Sequence, residues 1–243
     1  MEKMFCGCDS LKSIYLSNFN MKNDINMKYL FDGCNSLQSI NMSNINTQKI
    51  TNPTGIFSFY KSIKSIDLSN YNAPEVRNMA GFFKGCESLI SINLSNWYAP
   101  KITDIGSMFS CCKSLKSINL SNFNTQNVTT MASMFNECES LKSIDLSNFN
   151  TQNVTTMERM FYECESLTSI DLSNFNTQNV TSMAFMFYGC KSLEKLNILN
   201  FHINKNTYYY DIFYDCKLLK KENVIIQDKK LKHELNLDEC MIF

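Results

Sequence analysis

Eleven cysteines are the residues of this 243-residue chain best suited to chemistry, as metal ligands, redox pairs or nucleophiles. The remaining inventory is small: two histidines, His202 and His233, with seven glycines and three prolines. There is no HExxH zinc helix, no GxSxG nucleophile elbow and no glycine-rich loop ending in Lys-Ser or Lys-Thr. Cys6 with Cys8, and Cys111 with Cys112, lack a second cysteine pair or a histidine at ligand spacing. Asp67, Asp145 and Asp171 recur at one position, but Asn41, Asn93, Asn119 and Asn197 stand there in other segments. The position therefore wants a small polar group rather than an acid, and general acid/base work would need a buried carboxylate. No enzyme, no cofactor and no metal are expected.

Charge and composition narrow the partners. The chain has 23 Lys+Arg against 23 Asp+Glu, a net charge of zero, which argues against nucleic acid or an anionic membrane surface as partner. No run of about 18 apolar residues is present to cross a bilayer, so no direct membrane insertion is expected and any anchor would lie elsewhere. Hydrophobic residues make up 44%, enough for a sizeable core without metals or disulfides. Asparagine (31) and serine (27) are in excess, which points to a structural unit that repeats them.

That unit has 26 residues. Cys8, Cys34, Cys86, Cys112, Cys138, Cys164, Cys190 and Cys216 fall on one period, with Tyr60 in the single vacant slot. An aliphatic residue follows three positions later in all nine copies, from Leu11 through Ile63 to Leu219. Cysteines that recur with the core period read as small buried hydrophobes rather than a disulfide ladder. Within residues 141–166, Ile144 and Leu146 alternate with Ser143 and Asp145, the period of a strand. Val154, Met157, Met160, Phe161 and Cys164 then fall on one stripe of a short helix, with Thr155 as its N-cap. The SNFNTQN segment between them supplies side chains that bond to nearby backbone and allow a sharp turn.

One such copy cannot bury its own apolar face, so neighbours must cover it. The expected fold is an α/β repeat: a solenoid of about nine 26-residue coils, with a parallel sheet on one face and short helices on the other. Nine coils at the strand spacing would make a curved rod roughly 40 Å long. Residues 1–216 form this solenoid and 217–243, where the repeat decays and charge rises, form a degenerate C-terminal repeat or cap. Pro53, Gly55, Ala73-Pro74 and Ala99-Pro100 predict local irregularity between 50 and 110. The chain opens in the second half of a coil, so Met4 and Phe5 are expected at the surface and an upstream region is suspected.

The combination of MF, Cys, SL, SIDLSNFNTQNVT and Met at this spacing, over about residues 4 to 219, resembles the BspA-like leucine-rich repeats in their mycoplasma-type variant. Phe123, Phe149 and Phe175 stand where the standard leucine-rich pattern has asparagine. The resemblance implies a secreted or cell-surface location, adhesion, and a protein or cell-surface ligand. It identifies no ligand.

A regular solenoid repeats similar groups on every coil, so weak contacts can add along it. The outward strand positions carry Lys116, Ser117 and Asn119, then Lys142, Ser143 and Asp145, then Thr168, Ser169 and Asp171. This polar stripe is the candidate ligand face, and a solvated face without a partner is the other reading of it. Tyr71, Trp97 and Tyr98 form a second candidate patch, although the slot of Trp97 is apolar in most copies and so also suits internal packing. Sequons at Asn41, Asn93, Asn119, Asn127, Asn153 and Asn179 arise mostly from the recurring N-L-S and N-V-T phrases.

Overall fold

The computed structural model describes residues 3–16, 25–28, 30–31, 33–42, 50–68, 71–94 and 97–237. These residues wind into a parallel solenoid of about seven turns. Parts of the first windings counted in the expected nine lie outside the described residues.

The first ladder is built from the S-I-N and S-I-D triplets. Strands β1 (Ser13–Tyr15), β3 (Ser39–Asn41) and β5 (Ser65–Asp67) form one parallel sheet, and β6 (Ser91–Asn93) pairs with β7 (Ser117–Asn119). β8 (Ser169–Asp171), β9 (Lys195–Asn197) and β10 (Val224–Ile225) form another. The register is one period per coil: Ile14 lies beside Ile40, Ile92 beside Ile118 and Ile170 beside Leu196. The triplets alternate as the sequence predicts, with Ser169 and Asp171 exposed and Ile170 buried. The sheet is interrupted between β5 and β6, within the stretch expected to be irregular. It is also interrupted at Ser143–Asp145, which is not a paired strand although its sequence is among the most regular. Coil-to-coil bonding continues beside that gap, where the Thr168 amide donates to the Lys142 carbonyl at 3.1 Å.

The opposite side corrects the expectation of helices. Residues 155–164 form a chain of tight turns, and Thr155 caps no helix: its hydroxyl donates to the Thr129 carbonyl one coil away. In the preceding coil the amides alternate. Met134, Asn136 and Cys138 donate three residues back, to Met131, Ser133 and Phe135. Met131, Ser133, Phe135 and Glu137 donate instead to the next coil, at Thr156, Glu158, Met160 and Tyr162, over 2.7–3.1 Å. Two left-handed residues per coil make this possible, Ser133 at φ 57° and Glu137 at φ 56°. Each sits third in a four-residue turn, where positive φ gives a type II geometry.

The physical reason is pitch. Packed helices need about 8–10 Å between axes, whereas parallel strands advance about 4.8 Å per coil. Tight turns lie flat enough to match the strands, and the stacked rings on this side are spaced accordingly: Phe109–Phe135, Phe135–Phe161 and Phe161–Phe187 lie 5.6 Å apart. A second parallel ladder joins the turns, from β2 (Ile25–Asn26) paired with β4 (Ile50–Asn52), then through single bridges linking Asn78, Asp104, Thr130, Thr156, Ser182 and Tyr208. Most of these carry a side-chain oxygen that accepts the amide two residues on, as Asn78 does from Ala80 at 2.8 Å and Asp104 from Gly106 at 2.9 Å.

Between the two ladders lies a continuous apolar core. Leu141, Leu146, Phe149, Val154, Met157, Met160, Phe161 and Cys164 of one coil are all buried. From Cys34 to Cys216 the periodic cysteines form a single file, each thiol pointing at a phenylalanine carbonyl of the preceding coil, whereas Cys8, at the open end of the stack, is exposed. Cys138 reaches Phe109 at 3.2 Å, Cys164 reaches Phe135 at 3.1 Å and Cys190 reaches Phe161 at 3.1 Å. Tyr60, in the vacant slot, is also buried and bonds to the Ile56 carbonyl at 2.9 Å. No disulfide links the described cysteines. At the far end β10 extends the sheet, and Asp228 starts α1 (Lys229–Leu237) by accepting the amides of Lys230 and Leu231 at 2.9 and 3.3 Å. Its other oxygen accepts the Ile203 amide at 3.0 Å, and Leu231 is buried.

Candidate functional site

All nine residues of the polar stripe are exposed on three successive coils, but they fall into two kinds. Asn119, Asp145 and Asp171 hold the turn that follows them: each accepts an amide two residues on, from Ser121, Ser147 and Ser173, at 2.9–3.1 Å. Hydrogen bonds from the Ser147 amide and hydroxyl lower the Asp145 carboxyl from the usual aspartate value, and those from the Ser173 hydroxyl and amide lower Asp171. Asp171 also accepts from Asn197 at 3.1 Å. This explains why asparagine substitutes freely for aspartate there. Thr168 is a stitch to the coil before it, its hydroxyl bonding to the Lys142 carbonyl at 3.3 Å.

Lys116, Lys142, Ser117, Ser143 and Ser169 are of the second kind. Their side chains make no hydrogen bond or ion pair with the described residues. Beside them a shallow depression of about 440 Å³ runs over Ser143, Ser169, Asp171, Lys195 and Asn197 to Ile225. A larger recess of about 650 Å³ lies at the coil edge around Gln178, Asn200, His202, Asn204 and Asp228. Its polar groups already serve the fold, since Asn204 donates to the Gln178 carbonyl and Asp228 holds Ile203 and α1. The stripe is the better candidate surface, because its lysines and serines face solvent with nothing to hold in place.

The other polar rows are consumed by stacking, which the sequence reading only half anticipated. Asn150 does make the expected local turn, accepting the Gln152 amide at 3.0 Å. Asn148 and Asn174 instead reach the preceding coil, donating to the carbonyls of Phe123 and Phe149 at 3.2 and 2.9 Å. Three of the six sequon asparagines do the same: Asn127, Asn153 and Asn179 donate to Pro100, Gln126 and Gln152 at 2.8–2.9 Å. Thr155 and Thr181 each bond to the previous threonine's carbonyl at 3.0 Å. Recurrence of these residues at the same offset as the core was the signal that could have shown their role.

The second candidate patch does not form. Tyr71 and Trp97 are buried, their rings 5.0 Å apart against Phe82, and only Tyr98 is exposed. Among the described residues no group of three His, Cys, Asp or Glu is placed to hold a metal ion, and no helix is long and apolar enough to cross a membrane. Burial pushes the thiol of Cys164 up from 9.0 to about 12, and those of Cys86, Cys138 and Cys190 well above the usual range, so this file is chemically inert at neutral pH.

No curated protein matches the sequence. Among solved structures, the T. pallidum leucine rich repeat protein is similar at 19% identity, over 68% of this chain and 69% of its own, with a TM-score of 0.42. A leucine rich cell surface protein from Faecalibacterium prausnitzii is 17% identical over 92% of this chain and 85% of its own, with a TM-score of 0.29. An internalin from Listeria monocytogenes is 13% identical over 93% and 58%, with a TM-score of 0.37. One family profile matches three overlapping stretches, residues 1–118, 83–195 and 145–233, which together span nearly the whole chain. Matched over that length, and carrying the 26-residue repeat from which the resemblance was drawn, the chain belongs to the family described as Mycoplasma protein of unknown function, DUF285.

Proposed function

We propose that this chain is a non-enzymatic recognition module that binds a protein or cell-surface ligand through the polar sheet stripe. One observation carries the reading. Each coil directs several polar rows into bonds with its neighbour, yet Lys116, Lys142, Ser117, Ser143 and Ser169 remain exposed and unengaged. A rigid backbone that repeats such groups at coil spacing loses little entropy on binding and lets modest contacts add. Surface display and adhesion rest on the family resemblance. The segment from 217 closes the last winding in this reading, through β10 and the buried Leu231.

A second reading is a structural spacer or intracellular protein-interaction scaffold without a dedicated ligand, whose length matters and whose surface does not. It is favoured by the structural duties of Asn119, Asp145, Thr168 and Asp171. The test is attachment of the purified chain to cells or matrix after Lys116→Glu and Lys142→Glu, with circular dichroism as control. At Asp171 the substitution is Asp171→Asn, which removes charge and keeps the oxygen that Ser173 needs. Loss of attachment with an unchanged spectrum supports the recognition reading. Unaltered attachment rejects this face.

A further inference from the structure

Among the described residues, the turn side of the last three windings carries a cluster of aromatic rings, where an earlier coil exposes the single ring of Phe59. Tyr162, Tyr188 and Tyr214 stack at 4.9 and 5.0 Å, one ring per coil. Phe185 joins them edge-on, 5.9 Å from Tyr188 and 4.9 Å from Tyr210. Tyr208 and Tyr210 are 65% and 53% exposed, as expected of an interface and not of a core.

Stacking does not require these rings. The slot of the three tyrosines is held by Ser58, Lys84, Ser110 and Asn136 in earlier coils, and those coils pack in the same register. Phe185 occupies a left-handed position, φ 58°, where Gly55, Gly81, Ser107 and Ser133 stand in earlier coils and Arg159 and Asp211 in the two adjacent ones. Every described coil needs a left-handed residue at this position, and a small one serves it at lower cost, so the turn itself does not call for an aromatic ring.

Charge identifies the occupant. Glu163 lies on the same turns, its amide bonding to the Tyr188 carbonyl at 2.7 Å, and Asp211 accepts the Tyr214 amide at its carbonyl at 3.3 Å, while Asp215 is already paired with Lys217 at 3.3 Å. The patch also contains an example of the chemistry it suits: the Arg159 guanidinium lies 4.9 Å from the Phe185 ring centre and 3.2 Å from Glu158. Ring faces and edges combined with carboxylates favour cationic side chains, through cation–π attraction and ion pairing.

We propose that this surface docks a Lys- or Arg-bearing peptide segment of a partner protein, its cations set against the exposed Tyr210 and Tyr214 and paired with Asp211 and Glu163. The site is separate from the sheet stripe and stands or falls independently of it.

The probe is a fluorescein-labelled peptide of alternating Arg and Ser, ten residues long, followed by anisotropy on the full chain. The expected result is saturable binding that weakens with salt and drops about tenfold in Tyr210→Ala. Asp211→Asn, a milder change at an exposed position, should weaken it several-fold, whereas Lys116→Glu should not weaken it. Unchanged melting of each variant separates lost contacts from lost fold. Absence of saturation below about 1 mM overturns the proposal. So does equal binding of a Glu/Ser peptide, or of an oligosaccharide in its place. Concentration-dependent self-association in sedimentation that Tyr210→Ala abolishes would assign the patch to a second copy and overturn it as well.

Discussion

The hydroxyl of Thr151 accepts the backbone amide of Asn176 at 2.7 Å and donates to the carbonyl of the same residue at 3.0 Å. One buried side chain thus replaces a pair of ladder bonds between coils. Thr125 makes the same double contact with Asn150, and Thr177 with His202.

Thr151→Val keeps the shape of the side chain but leaves the amide and carbonyl of Asn176 without their partner. The expected loss is about 1–3 kcal/mol, the cost of a buried polar group left unmatched. Thr151→Ser retains the hydroxyl and should recover most of that loss. Urea unfolding midpoints of the three proteins check this, and a valine variant as stable as wild type would remove the stitch from the account.

Alkaline pH should destabilise the rod through its cysteine file. Cys164 titrates near 12 in the fold, against about 9.0 when exposed, because burial disfavours the thiolate. A folded pKa raised above the unfolded one leaves stability intact below about 9. Above that, unfolded thiols ionise while folded ones do not, so stability falls with each further pH unit up to the folded pKa. Each such thiol contributes a slope of about 1.4 kcal/mol per pH unit at most. Melting temperatures from pH 7 to 11 should show the decline, and Cys164→Ala should make it shallower even though it lowers stability at pH 7. A flat profile would contradict burial of the file.

The left-handed columns predict opposite outcomes for two substitutions. Ser133→Gly relieves a side chain held at φ 57° and should stabilise by about 0.5–1 kcal/mol. Gly85→Ala should destabilise by more than that, because φ is +74° and a Cβ there would come within 2.8 Å of the Phe59 ring. Thermal melts of the two variants distinguish this arrangement from a helix, in which glycine at 133 would cost stability and alanine at 85 would add it.

Much of the architecture was legible in the residues. The 26-residue period, the inward Leu-x-x-Ile-x-Leu pattern and the recurring Met-Phe pair determine which side chains are buried. Phe109, Phe135 and Phe161 and the thiols that follow them accordingly line up in single file. The stripe from Lys116 to Asp171 was legible as exposed, since a strand with one buried face must turn the other outward.

Helix against turn was not legible. Apolar steps of three and four satisfy a helical stripe, and a run of tight turns with two left-handed residues satisfies them equally well. The choice is made by the neighbouring coil, whose spacing of about 4.8 Å is matched by flat turns and would admit helices only if the stack splayed apart on that side. The division of the stripe was hidden for a related reason. Ser143 and Asp145 look equally available in the sequence, but only the stacked chain shows that Asp145 holds the Ser147 amide.

Local pattern, then, determined the repeat, its core and its exposed faces, because burial follows from residue type and periodicity. The tertiary structure decided how the polar groups are partnered, because Asn148, Thr151 and Cys164 find their partners one coil away, at distances set by the packing of the whole stack.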